Sequence, residues 1–150
     1  MIDAAASRQY CTFRLAQHQC GIEVLAVHEI LRHQPLTRVP LAPPVVKGLI
    51  NLRGQIITAL DMRARFGFPP REDGKAPVNI VVDTSTAEGE SASALLVDEI
   101  GDVIDIDPAA CEPPPETMPA QVRDLITSVC KLEKGLLLIV DVRKAAGVGA

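Results

Sequence analysis

From Gln9 the chain alternates, with Tyr10, Thr12 and Arg14 on one side and Cys11, Phe13 and Leu15 on the other, the period of two expected of a half-buried strand. A loop at residues 16–19 returns it through Cys20, Ile22 and Val24. With Leu15 and Cys20 flanking that loop, Cys11 lies about 13 Å further along its strand, beyond disulfide reach of Cys20. Residues 21–33, GIEVLAVHEILRH, fit neither period cleanly and predict a turn of helix running into a strand. Prolines at 35, 40, 43 and 44 break the next segment, with Pro43 and Pro44 placed to open a short helix.

Residues 46–67, VKGLINLRGQIITALDMRARFG, turn Val46, Gly48, Ile50 and Leu52 one way and Lys47, Leu49, Asn51 and Arg53 the other. After Gly54 the apolar run resumes at Ile56 and Leu60, so the segment predicts two strands joined at Arg53-Gly54, with glycine available for a positive φ. Arg53 then stands at a hairpin tip, outside the core. Asp61 reads as the N-cap of a short helix that carries Met62 and Phe66 at i, i+4 and ends at Gly67. REDGKAP is polar and turn-like, a junction between halves, and PVNIVVD predicts the next strand. TSTAEGES is a loop, and SASALLVDEIGDVIDID reads as a strand bent or bulged at Gly101. The proline-rich loop ACEPPPETMP carries Cys111, and residues 126–132 and 136–140 complete the strands around a turn at 133–135.

The C-terminal stretch repeats the earlier hairpin at an offset of 80. Leu52 falls on Leu132, Ile56 on Leu136, Ile57 on Leu137, Leu60 on Val140, Asp61 on Asp141, Arg63 on Arg143 and Gly67 on Gly147. Internal duplication explains a shared strand, turn, strand and cap. Because Asp61 and Asp141 recur together, each reads as a helix cap and not as a catalytic carboxylate. Cys130 falls on Ile50, a core-facing position. Arg53 falls on Glu133, so the hairpin itself does not require an arginine.

Composition narrows the classes. The chain has 150 residues, 47% hydrophobic, with 3% aromatics and no Trp, so its core is aliphatic. A net charge of −4 and few aromatics argue against nucleic-acid binding. The N-terminus lacks a secretory pattern and no apolar run could span a bilayer, so a soluble cytoplasmic protein without membrane insertion is expected. Cys11, Cys20, Cys111 and Cys130 form no CxxC and have no His at ligand spacing, which predicts buried or idle thiols and no metal or cofactor. His18, His28 and His33 read as surface histidines.

Three stretches in order carry a family resemblance. VLAVHEIL, VKGLINLRGQII and LLVDEIGDVI resemble the V-L-x-V-x-E-I, K-G-x-x-N-L-R-G-x-I-I and L-V-D-x-V-x-x-V segments of the CheW family, adaptors of bacterial chemosensory arrays. The resemblance runs from Tyr10 to Ala145 and implies a mainly β fold of two five-stranded SH3-like β-barrels around a shared hydrophobic core, with short helices. It places one CheW-like domain over residues 1–150, with subdomains near 9–67 and 77–147 and exchange of strands between them left open. It implies no catalysis. The implied partners are the regulatory domain of a CheA-type histidine kinase, the signalling tip of a methyl-accepting chemoreceptor and other CheW-like domains, at arrays on the inner face of the membrane. Carried over by position, the coupling residues are Val27, Glu29, Gly48, Arg53 and Val103, with Glu29 and Arg53 expected close together on the receptor-facing surface. Thr58 departs from the family's proline in the second hairpin strand, and Met62 from its leucine. Pathways controlling swimming, pili, surface behaviour or a second messenger all fit this resemblance.

An enzyme built on paired carboxylates is the competing class, because Asp83, Asp98, Glu99, Asp102, Asp105 and Asp107 make the middle of the chain acidic. Alternation turns Asp105 and Asp107 away from Ile104 and Ile106, and no nucleophile, phosphate loop or metal-ligand set accompanies them. These carboxylates read as a solvated face. Calcium there lacks the EF-hand spacing.

Overall fold

The computed structural model describes residues 8–72 and 74–147. The first seven residues, on which the expectation about a secretory pattern partly rests, and Asp73 of the polar junction lie outside the described residues. Strands β1 (Arg8–Leu15) and β2 (His18–Glu23) form a hairpin, and a 3-10 turn (Val24–Ala26) leads into β3 (Val27–Leu31). The repeated unit begins with β4 (Val46–Leu52), β5 (Gln55–Asp61) and α1 (Met62–Phe66). Strands β6 (Val78–Asp83), β7 (Ala92–Val97) and β8 (Glu99–Ile106) come next, then a 3-10 turn (Pro108–Ala110) and the two-residue β9 (Cys111–Glu112). Helix α2 (Ala120–Arg123), β10 (Ile126–Leu132), β11 (Gly135–Val140) and α3 (Val142–Ala146) complete the chain.

The mainly β expectation holds, as two sheets in the orders β3-β6-β7-β5-β4 and β8-β1-β2-β11-β10-β9. Both strand orders are open, and the second carries a sixth strand, so two closed five-stranded barrels are not what forms. Each sheet mixes early and late strands: β1 and β2 lie with β8 to β11, while β6 and β7 lie with β3 to β5. Read from β3 and from β8, the two orders have the same sense at every step, antiparallel, antiparallel, parallel, antiparallel.

The offset of 80 extends further than side-chain similarity suggests. Register shifts fall between Val46 and Gly48 in one hairpin and between Ile126 and Ser128 in the other. The Asp61 amide donates to Val45 O at 2.7 Å, and the Asp141 amide to Leu125 O at 2.9 Å. One face of each hairpin fills its own sheet's curl: Ile50, Ile57 and Ala59 in one cluster, Cys130, Leu137 and Ile139 in another. The shared core between the sheets takes Leu60, Met62 and Phe66 from one half and Ile126, Val140 and Ala145 from the other, with Phe13, Ile22, Ile80 and Leu95. Burial of this aliphatic surface is the main favourable term for the fold.

Several local expectations change. Strand β1 is buried on both faces from Tyr10 to Phe13, because Tyr10 joins the six-stranded sheet's own cluster and the Thr12 hydroxyl donates to Asp102 O at 2.6 Å, while Arg14 on the same face stays exposed. The β1–β2 loop is two residues, since Leu15 faces His18, and this brings Cys11 opposite Ile22. Cys11 and Cys20 are nevertheless free and buried, as expected. Pro43 and Pro44 open no helix: the Val46 amide donates to Pro43 O at 2.9 Å, which closes a turn directly into β4. The single strand predicted across 91–107 is two strands that switch sheets at Asp98. A bulge does sit at Gly101, where an added Cβ would lie 2.5 Å from Thr12 Oγ1. The expectation of four idle thiols fails for Cys111 and Cys130, which are disulfide-bonded. Their pairing could not be read from a chain in which β9 is two residues long.

Candidate functional site

The β4–β5 turn is a tight two-residue loop, with Leu52 facing Gln55. Both central residues have positive φ, 52° at Arg53 and 87° at Gly54, the geometry of a primed hairpin turn. Asn51 Oδ1 accepts from the Gly54 amide at 3.0 Å and fixes the loop. Arginine in left-handed backbone is uncommon, because its Cβ crowds the carbonyl. The equivalent Glu133 is not among the positive-φ residues, so the two copies differ in turn geometry as well as in side chain.

From this tip the Arg53 guanidinium reaches Glu29 on β3. Arg53 Nη1 donates to Glu29 Oε1 at 3.2 Å and Nη2 donates to Oε2, a fork-to-fork pair. β3 stands at one end of its sheet's strand order and β4 at the other, so the pair joins the two ends across the mouth of the curl. The Arg53 side chain is 68% exposed and that of Glu29 29%. The hydrogen bond from Arg53 and its charge hold the Glu29 carboxyl below its ordinary value, and Glu29 in turn raises the guanidinium. Both groups are therefore charged at neutral pH. His28, Leu52, Gln55 and Val81 surround the pair in a shallow depression of about 200 Å³.

The other expected residues divide. Val27 shares β3 with Glu29, is half-buried and packs against the shared core. Gly48 is buried on β4, where an added Cβ would meet Thr37 O at 2.8 Å. Thr37 and Leu49 exchange backbone hydrogen bonds of 2.9 and 2.8 Å across that spot, so Gly48 is explained by close backbone approach. Val103 stands on β8 in the other sheet, 54% exposed and opposite Cys11. The structure thus brings Glu29 and Arg53 into contact, keeps Val27 on the same strand and separates Val103 from them by sheet. Asp61 caps α1 by accepting from the Arg63 and Ala64 amides at 3.0 and 3.3 Å, and Asp141 caps α3 through Lys144 at 3.1 Å. Gly67 closes α1 in left-handed backbone, whereas Gly147 does not.

The acidic stretch is not uniformly solvated. Asp105 and Asp107 are exposed, but Asp98 is 8% exposed at the point where the chain changes sheets. Arg63 Nε donates to its two oxygens at 2.9 and 3.1 Å, and the Ala16 amide donates to Oδ2 at 2.7 Å. Burial pushes this carboxyl up, but the Arg63 hydrogen bonds, the Ala16 amide and the Arg63 and Arg71 charges outweigh it and hold it below its ordinary value. Asp98 therefore ties α1, the β1–β2 turn and the β7–β8 crossover together. Its only sequence signal was a carboxylate closing the apolar run ALLV, which alternation alone does not interpret. Among the described residues no group of His, Cys, Asp or Glu is arranged to hold a metal ion, and no helix is long and apolar enough to cross a membrane.

Comparison with known proteins covers the same span. The profile of the CheW-like domain family matches residues 9–147. The chain is 28% identical over 137 residues to the chemotaxis protein CheW of Klebsiella aerogenes, covering 91% of this chain and 80% of that protein. It is 31% identical over 129 residues to the chemotaxis protein CheW of Bacillus subtilis, covering 86% and 80%. The crystal structure of the scaffolding protein TtCheW from Thermoanaerobacter tengcongensis superposes with a TM-score of 0.80 at 28% identity, over 95% of this chain and 94% of that one.

Proposed function

The chain belongs to the CheW-like domain family, and from that premise we propose that it is a chemosensory scaffold coupling the cytoplasmic tips of chemoreceptors to the regulatory domain of a CheA-type histidine kinase. Like its relatives it is not an enzyme. The observation that carries the coupling role is Arg53: folding prefers another residue at a positive-φ turn position, the duplicate hairpin lacks it, and its guanidinium is aimed and oriented by Glu29. An exposed, pre-oriented ion pair contributes little to stability and much to the choice of partner. Val103, exposed on β8 of the other sheet, offers a separate apolar contact point, Val27 supports β3 from the core side, and Gly48 keeps the β4 backbone close to Thr37. The reading puts the protein in the cytoplasm, at receptor arrays on the inner face of the membrane.

Co-purification with receptor signalling fragments and kinase regulatory domains tests this. Arg53→Glu and Glu29→Arg each leave the chain folded and weaken capture of one or both partners, and the double exchange recovers part of the loss. Capture by both single variants at the wild-type level would remove the pair from the interface. Absence of recovery in the double exchange would show that the two charges act separately.

A further inference from the structure

The two copies of the hairpin part company at Cys130. In the five-stranded sheet Ile50 lies inside the curl, Leu36 packs against the same cluster, and Thr37 bridges to Leu49. In the six-stranded sheet Cys130 takes the place of Ile50, Cys111 stands directly opposite it on β9, and Glu112 faces Val129. What is an apolar contact in one half is a covalent bond in the other, with Cα atoms 4.0 Å apart and a sequence separation of 19.

Two observations mark this bond as a site of chemistry. Access is one-sided: Cys130 is fully buried, whereas Cys111 is half-buried and lines an open depression of about 320 Å³ with Arg8, Glu23 and Pro108. A small thiol can therefore approach Cys111 Sγ. The bond also holds β9, which has little else to hold it, whereas residues 116–118 are tied separately, by Arg123 Nη1 donating to Glu116 O at 2.9 Å and by Met118 against the shared core. The ladder of β9 with β10 consists of two pairs, Cys111 with Cys130 and Glu112 with Val129, supplemented by an exposed Lys131–Glu112 ion pair of 3.3 Å. A strand this short with a surface ion pair is weakly attached without a crosslink. Cys11 and Cys20 serve as internal controls. Burial pushes both thiols up, Cys20 to about 12, and neither is bonded.

We propose that Cys111–Cys130 is a reversible thiol–disulfide site that clamps the segment 107–115 to the β10 edge when oxidised and releases it when reduced, with a dithiol or its cyclic disulfide as co-reactant. A co-reactant thiolate attacks Cys111 Sγ; the S–S bond breaks and its electron pair leaves on Cys130 Sγ, which takes up a proton. The second co-reactant thiolate then attacks its own sulfur in the mixed disulfide, and Cys111 leaves and is protonated. Two electrons pass to the protein and the dithiol becomes a disulfide; reoxidation runs the same steps in reverse. Release uncovers the backbone groups of Val129 and Cys130 along the sheet edge.

The test equilibrates the full chain in buffers of reduced and oxidised dithiothreitol, quenches with an alkylating agent for peptide mapping, and measures amide hydrogen exchange on both forms. Cys111 and Cys130 should pass together between bonded and alkylated states while the chain stays folded, with Cys11 and Cys20 unlabelled. Exchange across 107–115 and at Val129 and Cys130 should rise by about tenfold or more in the reduced form, the behaviour of a locally opened unit, with residues 116–118 and the shared core unchanged. C111S should show the reduced pattern in every buffer. Persistent thiols in the oxidising buffer, reduction only on global unfolding, or equal exchange of 107–115 in both forms would each overturn the proposal.

Discussion

Arg53 occupies the first central position of a turn whose φ values of 52° and 87° are those for which Asn-Gly is the favoured pair. Arg53→Asn should therefore keep or raise Tm in thermal melts while weakening capture of the receptor or kinase. A fall in Tm with capture intact would reverse the assignment of this residue from binding to folding. Gly48 predicts the opposite division. A methyl group there meets the Thr37 carbonyl at 2.8 Å, so Gly48→Ala should cost about 1–3 kcal/mol in chemical denaturation. Any loss of partner binding by that variant should track its loss of stability and be restored by cooling. The resemblance named Gly48 and Arg53 together, and only packing distinguishes a close approach of backbones from an exposed guanidinium.

The element repeated in the chain is the strand, tight turn, strand and capped helix. Its caps are unequal: Asp61 satisfies two amides and Asp141 one. Asp61→Ala should cost about 1–2 kcal/mol and Asp141→Ala about 0.5–1 kcal/mol, measured by urea unfolding. Equal costs would mean that the second α1 hydrogen bond, at 3.3 Å, contributes nothing. The hairpins and caps were legible because alternation, a turn glycine and an aspartate before an apolar pair are all local signals. Thr58 is consistent with this: at the family's proline position it has ladder partners on both sides, Leu49 and Ser93. β9 was not legible, since two residues between Pro108 and the proline run at 113–115 carry no period, and the Cys111–Cys130 pairing was hidden with it.

At the scale of the molecule the crossover at Asp98 decides how the sheets share strands. Removing its charge leaves the Arg63 guanidinium facing a neutral amide in a largely buried setting. Asp98→Asn should cost about 3 kcal/mol, whereas Asp105→Asn on the exposed face of β8 should stay within about 0.5 kcal/mol of wild type. The pH dependence has a definite sign. Because the folded Asp98 carboxyl lies below its ordinary 3.8, its stabilisation is complete above that value and is lost as pH falls through the lower folded one. Acid titration of wild type against Asp98→Asn should show the difference between them shrinking only below about pH 4. A difference that persists unchanged into strong acid would exclude this ionisation as the source.

What the chain determined by itself is its short-range grammar: alternation in β4, the Arg53-Gly54 turn, the caps at Asp61 and Asp141, and a duplication whose strands, register shifts and caps recur at an offset of 80. These are settled within a few residues by backbone geometry and side-chain period. Tertiary structure decided what lies across a distance: that β8 leaves its neighbour β7 for the other sheet, that Arg53 meets Glu29 from opposite ends of a strand order, and that Cys111 faces Cys130. Those choices depend on which apolar faces bury together. The aliphatic pattern permits several strand pairings, and only closing the shared core between the two sheets selects one.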